Sequence, residues 1–423
     1  MQVGQARIYP SAIPGGEELA RAVGEVRAVY QPIVRLSDRR TVGYEALVRG
    51  PRGSATEAPE QLFAIARRLG LELTLDWECR RVALEGALEA GLGGGRAIFV
   101  NVEPSSAGNA PPAGMIELLD AAVESFPVVV ELTERALTAR PTELLTLVDR
   151  AREHGARIAL DDVGADPRSL ALLPFLSPEV IKLDLGLIRN VPSRQLADVV
   201  HAVNAEAERS GAIVLAEGIE SEAHLRRALA LGATHGQGWL FGRPGPLPAD
   251  AAQPSAEAPT APGPRLADAV QTPFEVVTEV RETRRGDKAL LLELSRAIEE
   301  QVAGQGTAAV ILSTFQEAEF FSAKTARRYA QLAEHAAMVA ALGVGLPEEP
   351  GRGIRGVALD SAEALRGEWD VTVLGPHFAA AFVARDLGDR GPDFKRRFDF
   401  ALTYDRELAT RAALAMMRRV AAA

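Results

Sequence analysis

Ala97-Ile98-Phe99-Val100-Asn101 is a short apolar run closed by an amide, and the same unit recurs between Val29 and Gly242. Val128-Val129-Val130 closes on Glu131, Ile213-Val214-Leu215-Ala216 on Glu217, and comparable runs close on Glu45, on Asp161 with Asp162, and on Lys182 with Asp184. Such runs, apolar at every position, read as strands buried on both faces. Polar side chains gathered at their ends are hard to explain as packing, because clustered carboxylates repel one another unless cations lie between them. The first part of the chain is therefore expected to hold metal.

Helical stretches separate the runs: Pro59 to Leu92, Pro141 to His154 and Leu196 to Ser210, with apolar residues three or four apart among Arg and Glu. Strand and helix units in alternation imply a parallel sheet, either open and doubly wound or closed into a barrel. A doubly wound sheet keeps its site at one switch point, whereas here strand after strand delivers a polar end residue. The expected fold is α/β, a TIM-like (β/α)8 barrel with all strands ringing one mouth, followed by a smaller, separate α/β domain.

A chain of 423 residues exceeds what one hydrophobic core usually supports. Ala, Pro and Gly dominate Pro254-Ser255-Ala256-Glu257-Ala258-Pro259-Thr260-Ala261-Pro262-Gly263-Pro264, as in an extended, semi-rigid connector. The expected boundaries are residues 1–247 for the first domain, 248–271 for the linker and 272–423 for the second domain. In the latter, Ala308 to Leu312, Met338 to Leu342, Trp369 to Leu374 and Phe398 to Leu402 read as strands among helices Leu290 to Val302 and Ala323 to Ala336. Ser322 suits a helix N-cap, with Phe320 and Phe321 packed beneath that helix and Arg327 and Arg328 on its solvent side.

The formal charge of −10, without a dense Lys/Arg block, argues against duplex nucleic acid as a partner. The single cysteine, Cys79, cannot form an internal disulfide, and the six scattered histidines give no zinc-type spacing. With no basic-then-apolar N-terminus and no apolar stretch near the roughly 18 residues of a membrane span, cytoplasmic placement without membrane insertion is expected. Gly91 to Gly95 precedes a strand and reads as a turn, Cys79 reads as a small core residue, His235 reads as a packed or surface histidine rather than a ligand contact, and Asp76 with Trp77 reads as packing support.

Asp, Glu and Asn are the ligands that hard divalent ions take, and two such ions can activate water for phosphodiester cleavage. Adjacent Asp161 and Asp162 would face opposite ways in a strand. A strand ending at Asp161 lets the following turn bring Asp162 back to the mouth. Lys182 and Asp184, two apart, share one face.

At these residues the chain resembles the EAL family of cyclic di-GMP phosphodiesterases, over roughly Tyr30 to Pro244. The motifs are Tyr30-Gln31-Pro32-Ile33, Glu45-Ala46-Leu47-Val48-Arg49, Val100-Asn101-Val102, Glu131-Leu132-Thr133-Glu134, Asp161-Asp162, Lys182-Leu183-Asp184, Ala216-Glu217-Gly218-Ile219-Glu220, and Gln237-Gly238 before Phe241-Gly242-Arg243-Pro244. The resemblance implies a Mg²⁺ or Mn²⁺ two-metal site: Glu45, Asn101, Glu131 and Asp161 for one ion, Asp162 and Glu217 for the second and the attacking water, and Lys182 beside that water. It implies dinucleotide contacts at Gln31, Leu47, Arg49, Asp184 and Gln237, supporting roles for Glu134 and Glu220, and opening of cyclic di-GMP to linear pGpG.

One loop departs. Where the family has Asp-Asp-Phe-Gly-x-Gly-Tyr, this chain has Asp161-Asp162-Val163-Gly164-Ala165-Asp166-Pro167, which restricts backbone angles that glycine leaves open. Slow turnover is expected, and a receptor that binds cyclic di-GMP without cleaving it is the alternative reading. From about Thr272 onward, Phe315-Gln316, Phe320-Phe321-Ser322, Arg327-Arg328-Tyr329, Gly367 to Val371, Leu374 to Phe378, Ala384 to Leu387, and Phe398-Asp399-Phe400 with Thr403-Tyr404-Asp405 resemble the DICT domain, a sensory module. The expected partners are cyclic di-GMP, a second copy of the chain, and a signalling protein or small ligand at the C-terminal domain.

Overall fold

The computed structural model describes residues 23–103, 106, 109–133, 140–171, 173–189, 193–249, 251, 271–389 and 392–420. Eight strands form a closed barrel in sequence order: β1 Arg27–Arg35, β2 Thr41–Arg49, β3 Ala97–Val102, β4 Val128–Thr133, β5 Arg157–Val163, β6 Val180–Leu183, β7 Ile213–Ala216 and β8 His235–Gln237. The apolar runs are buried as expected of strands covered by helices on one side and a filled barrel interior on the other.

The barrel is not wholly parallel. β1 runs antiparallel to β2 and to β8, whereas β2 with β3, β3 with β4 and β7 with β8 are parallel. Only Leu36–Arg40 joins β1 to β2, and a parallel crossover needs a dozen or more residues, so the pair can only be a hairpin. The stretch from Pro59 to Leu92 is also two helices, Pro59–Arg68 and Glu72–Glu89, interrupted where Gly70 adopts φ 67°. That left-handed turn suits a residue without Cβ. Leu62, Ala66, Leu75 and Cys79 from the two helices form one core with Val23 and Val26, and burial pushes the Cys79 thiol pKa up.

His235, expected to be a packed or surface residue, is buried. It lies in register with Arg35, its Nδ1 is 2.9 Å from Thr234 Oγ1, and burial followed by the Arg35 charge lowers its pKa to about 4. The unfolded chain therefore binds a proton near pH 6.5 that the folded barrel refuses. The contribution to stability is complete above about pH 6.5 and is lost as the pH falls through 4, amounting to about 3 kcal/mol. Urea unfolding of His235→Gln is expected to show a correspondingly flatter stability profile between those pH values than the parent chain.

A second, mixed sheet has the order β12-β11-β10-β13-β14-β15-β9, built from β9 Arg284–Asp287, β10 Val310–Glu317, β11 Met338–Val344, β12 Arg355–Ala358, β13 Glu368–Leu374, β14 Ala379–Asp386 and β15 Arg397–Thr403. β10, β11 and β12 are mutually parallel and the other pairings antiparallel. Against one face lie the helices Lys288–Glu299 and Ala323–Ala333, with Tyr329, Phe382 and Phe398 in the core. The helices Pro273–Thr278 and Arg406–Met417 pack on β13 and β14 from the opposite side.

Ser322 is the N-cap of Ala323–Ala333, its Oγ accepting from Thr325 N at 3.2 Å, and Phe321 lies edge-on to Phe315 and Tyr329 below it. Arg328 differs from expectation. It turns inward, with Nε 2.7 Å from Glu299, because that buried carboxylate requires a cation. β14 carries Ala379-Ala380-Ala381, a composition of low strand propensity that only its position in the sheet explains.

Candidate functional site

Two clusters of polar side chains form where the strand order predicts them. In the first, Gln31 of β1 stands opposite Glu45 of β2, and Ile33 stands opposite Gln237 of β8. Gln237 Nε2 donates to Glu45 Oε2 at 2.5 Å and to Gln31 Oε1 at 3.1 Å, while Asn101 Nδ2 donates to Glu45 Oε1 at 3.2 Å. Both oxygens of Glu45 are thus oriented by amides from neighbouring strands. Gln31 Nε2 is itself tied to Gly242 O at 3.2 Å. Gln237 is 4% exposed, and its Oε1 has no partner among the described residues, leaving an acceptor available to an incoming group. Asn101 lies in register with Glu131, which is 1% exposed.

The second cluster is acidic. Asp161, Asp162 and Glu217 each bring a carboxylate oxygen within 4.8 Å of the others. Lys182 is fully buried, with Nζ 2.9 Å from Asp161 Oδ1. β5 does not end at Asp161 but continues to Val163, and the alternation of faces is broken by Asp162 itself, which adopts φ 58°. Left-handed backbone costs a non-glycine residue roughly 1–2 kcal/mol, and Asp is among those that tolerate it best. The strain brings consecutive carboxylates to one cluster. Three carboxylates beside one ammonium leave net negative charge, and their hard oxygens suit a hard divalent cation rather than a soft ion.

Other expected residues are placed around these clusters. Leu47, Arg49 and Asn101 line a cavity of about 450 Å³ together with Phe63, Arg80 and Glu103. Arg49 Nη1 donates to Val48 O at 2.7 Å. Asp184 follows β6 and its Oδ1 accepts from Gly186 N at 2.6 Å, so that oxygen shapes the local turn. Glu220 is exposed and lies outside the three-carboxylate group. Glu134 lies outside the described residues. In the departing loop, Asp166 Oδ1 accepts from Arg168 N at 3.0 Å and Pro167–Ala171 forms a 3-10 turn.

Two features have roles that the sequence reading did not assign. The Asp76 and Arg80 pair lines the cavity, beyond the packing support expected of Asp76; its signal was the four-residue spacing of opposite charges on one helix. The other is Gly238, with φ 153°. A Cβ there would stand 2.2 Å from Ile219 O and 2.3 Å from Ile219 N, so only glycine lets the end of β8 meet the loop that carries Glu217 and Glu220. Ile219 N donates to Gln237 O at 2.9 Å across this approach. Gly238→Ala is expected to destabilise the barrel by about 2–3 kcal/mol, read as a lower urea midpoint.

Residues 17–244, more than half of the chain, match the EAL domain, and residues 275–387 match DICT, described as a sensory domain in diguanylate cyclases and two-component systems. RocR of Pseudomonas aeruginosa, named a cyclic di-GMP phosphodiesterase, is 30% identical over 247 residues, covering 57% of this chain and 63% of RocR. NbdA of the same organism carries the same designation and is 30% identical over 243 residues, covering 55% of this chain and 31% of NbdA. The chain therefore spans less than two thirds of either relative. A solved structure of Klebsiella pneumoniae BlrP1, in a complex with manganese and cyclic di-GMP, is 28% identical, covers 56% of this chain and 58% of that chain, and has a TM-score of 0.46. By its motifs and the match of residues 17–244 to the EAL domain, the chain belongs to the EAL domain family, with a DICT domain following the barrel.

Proposed function

We propose that the barrel hydrolyses cyclic di-GMP to linear pGpG with two divalent ions, Mg²⁺ or Mn²⁺. The observation that carries this reading is the convergence of Asp161, Asp162 and Glu217 within 4.8 Å, beside buried Lys182. Relatives named as phosphodiesterases of the same compound support it. When bound, the ions supply Lewis acidity at the phosphoryl oxygens and an activated water.

The protein's own groups hold and orient. Glu45, Asn101, Glu131 and Asp161 provide ligands on one side of the site and Asp162 and Glu217 on the other, with Glu134 and Glu220 in support. Gln237 and Asn101 fix the rotamer of Glu45, a preorganisation that keeps its oxygens from reorienting as charge develops. Lys182 offsets carboxylate charge and directs the nucleophilic water. Gln31, Leu47, Arg49, Asp184 and Gln237 contact the dinucleotide, with Arg49 suited to a phosphate. Residues 1–247 act as the catalytic domain, 248–271 as a connector and 272–423 as a regulatory domain.

Incubating the full chain with cyclic di-GMP and either Mg²⁺ or Mn²⁺, then resolving products by chromatography, tests the proposal. Accumulation of pGpG is expected. Calorimetric binding with no product in either metal would replace hydrolysis by the receptor reading that the Asp166-Pro167 loop motivates. Regulation is tested by comparing turnover with that of a chain ending at Leu247, where a changed rate is expected and equal rates would remove it.

A further inference from the structure

We propose that one proton, shared by Asp370 with Glu368, locks the helix Pro273–Thr278 onto the sheet of the C-terminal domain, and that its loss loosens this helix. Glu368 and Asp370 lie two apart on β13 and share a face with Thr372, and all three are at most 1% exposed. Polar side chains on a fully covered strand must recover within the protein the bonds they gave up to water.

Glu368 recovers its bonds from the helix. Its Oε1 accepts from Thr272 Oγ1 at 2.6 Å and from Arg385 Nη2 at 2.8 Å, and its Oε2 accepts from Phe274 N at 3.2 Å. Thr272 is the N-cap of Pro273–Thr278 and closes a capping box with Glu275. Six residues are too few for a helix to persist unaided. Its place on the sheet therefore rests on Glu368 together with the burial of Phe274, Val276 and Val277.

Asp370 is short of donors. Its Oδ2 lies 3.0 Å from Thr314 Oγ1, but that hydroxyl has a single proton and a second acceptor, Glu368 O, at 3.1 Å, while itself accepting from Asp370 N at 2.7 Å. Asp370 Oδ1 is also buried and completes no hydrogen bond among the described residues. The Thr314 hydroxyl and Ala384 N–H favour the carboxylate, but burial and then the Glu368 charge outweigh them and hold the Asp370 pKa well above the usual carboxylate range. Burial raises Glu368 as well, opposed by Arg385, Thr272 and Phe274 N, so the proton resides on Asp370.

Charge is short in the same sense. Among the described residues, Arg385 of β14 is the cation bonded to the pair, and its partly exposed guanidinium also lies 3.6 Å from Glu275. The neighbouring elements bring no other cation to it. β10 offers Thr314, with Glu317 at its end paired to Arg366. The helix Arg406–Met417 buries Ala409, Ala412 and Ala413, while its Arg411 pairs with Glu279 and its Arg406 donates to Gly375 O and Pro376 O. Arg281, just past the first helix, reaches Thr403 and Asp405. Two buried carboxyls facing one guanidinium leave one negative charge too many, which a proton removes. Protonated Asp370 becomes a donor, with a remaining lone pair of Glu368 as acceptor.

The unfolded chain releases this proton near pH 3.8, and the folded domain keeps it to higher pH. Its stabilising contribution is therefore complete below about pH 4 and is lost as the pH rises through the raised value. Ionised Asp370 sets a second negative charge against Glu368 and weakens its hold on Thr272 and Phe274. The lock does not depend on the chemistry of the barrel.

Hydrogen–deuterium exchange of the full chain and of Asp370→Asn, followed over residues 272–281, tests the lock. Asparagine keeps the shape and replaces the proton by an amide that cannot ionise. At about pH 5 the two chains are expected to exchange alike, and at about pH 9 the parent at least about tenfold faster than the variant. Equal protection at about pH 9, or faster exchange in the variant there, would overturn the proposal. Infrared spectra of the parent supply a second reading that does not need the variant to fold. The carbonyl stretch of a buried carboxylic acid is expected at about pH 7, fading over the range in which residues 272–281 lose protection. Absence of that band, or a band that persists while protection is lost, would equally overturn it.

Discussion

Exchanging Glu217 for glutamine is expected to lower pGpG production by about three orders of magnitude while leaving the urea midpoint of the barrel in place. Glutamine keeps the size of the side chain and one acceptor oxygen, so the loop after β7 retains its shape. It removes one of the negative charges by which Asp161, Asp162 and Glu217 are proposed to hold a cation. Calorimetric titration with Mn²⁺ is expected to show weakened binding in parallel with the loss of product. The position matters for a clean reading. Asp161→Ala would strip the carboxylate from fully buried Lys182 and cost about 3–5 kcal/mol of stability as well, confounding chemistry with unfolding. Glu217 is only half-buried at a strand end. Full product formation by Glu217→Gln would remove the acidic cluster from the mechanism.

A large stability loss with no catalytic component is expected from Asp76→Ala. Asp76 and Arg80 are a buried ion pair whose remaining bonds are also made: Asp76 Oδ1 accepts from Glu103 N at 3.0 Å, Arg80 Nη2 donates to Ser106 Oγ at 3.0 Å, and the guanidinium lies 3.6 Å from the Trp77 ring centroid. Burial lowers the Arg80 pKa, with Asp76 opposing it. Removing the carboxylate leaves that cation uncompensated, at a cost of about 3–5 kcal/mol, measurable as a shift of the urea midpoint. Asp76→Leu combined with Arg80→Met is expected to recover most of the loss, since an apolar pair of similar volume carries no desolvation penalty. Neither variant is expected to respond strongly to salt, because both groups are shielded from solvent. The single change also frees the backbone N–H of Glu103, two residues beyond Asn101.

The strands of the barrel were legible because their chemistry is unambiguous. A run such as Ala97 to Val100 has no polar side to turn towards water, and an amide or acid at its end has no packing role to fill. The four strands expected in the C-terminal domain were found by the same logic, and β14 was missed because alanine declares no preference until neighbours bury it. The antiparallel course of β1 was readable in principle from the brevity of Leu36–Arg40, but the regularity of the later units outweighed that local signal. Arg328 shows a different limit. Its spacing on an amphipathic helix places it near solvent, while the buried carboxylate that draws it inward lies on another helix, 29 residues earlier in the chain.

Residue types, their order and their spacing determined by themselves which polar groups stand at the strand ends and which family of barrel carries them. Hydrophobic periodicity is a local property, and so is a motif. Tertiary structure alone decided the geometry: the left-handed backbone that brings Asp162 beside Asp161 and Glu217, the contact at Gly238 that admits no Cβ, the amides that orient Glu45, and the hold of Glu368 on Thr272. Each of these depends on atoms from segments remote in sequence approaching within a few ångströms. That proximity is set by how the whole sheet closes and packs, which no single stretch of chain encodes.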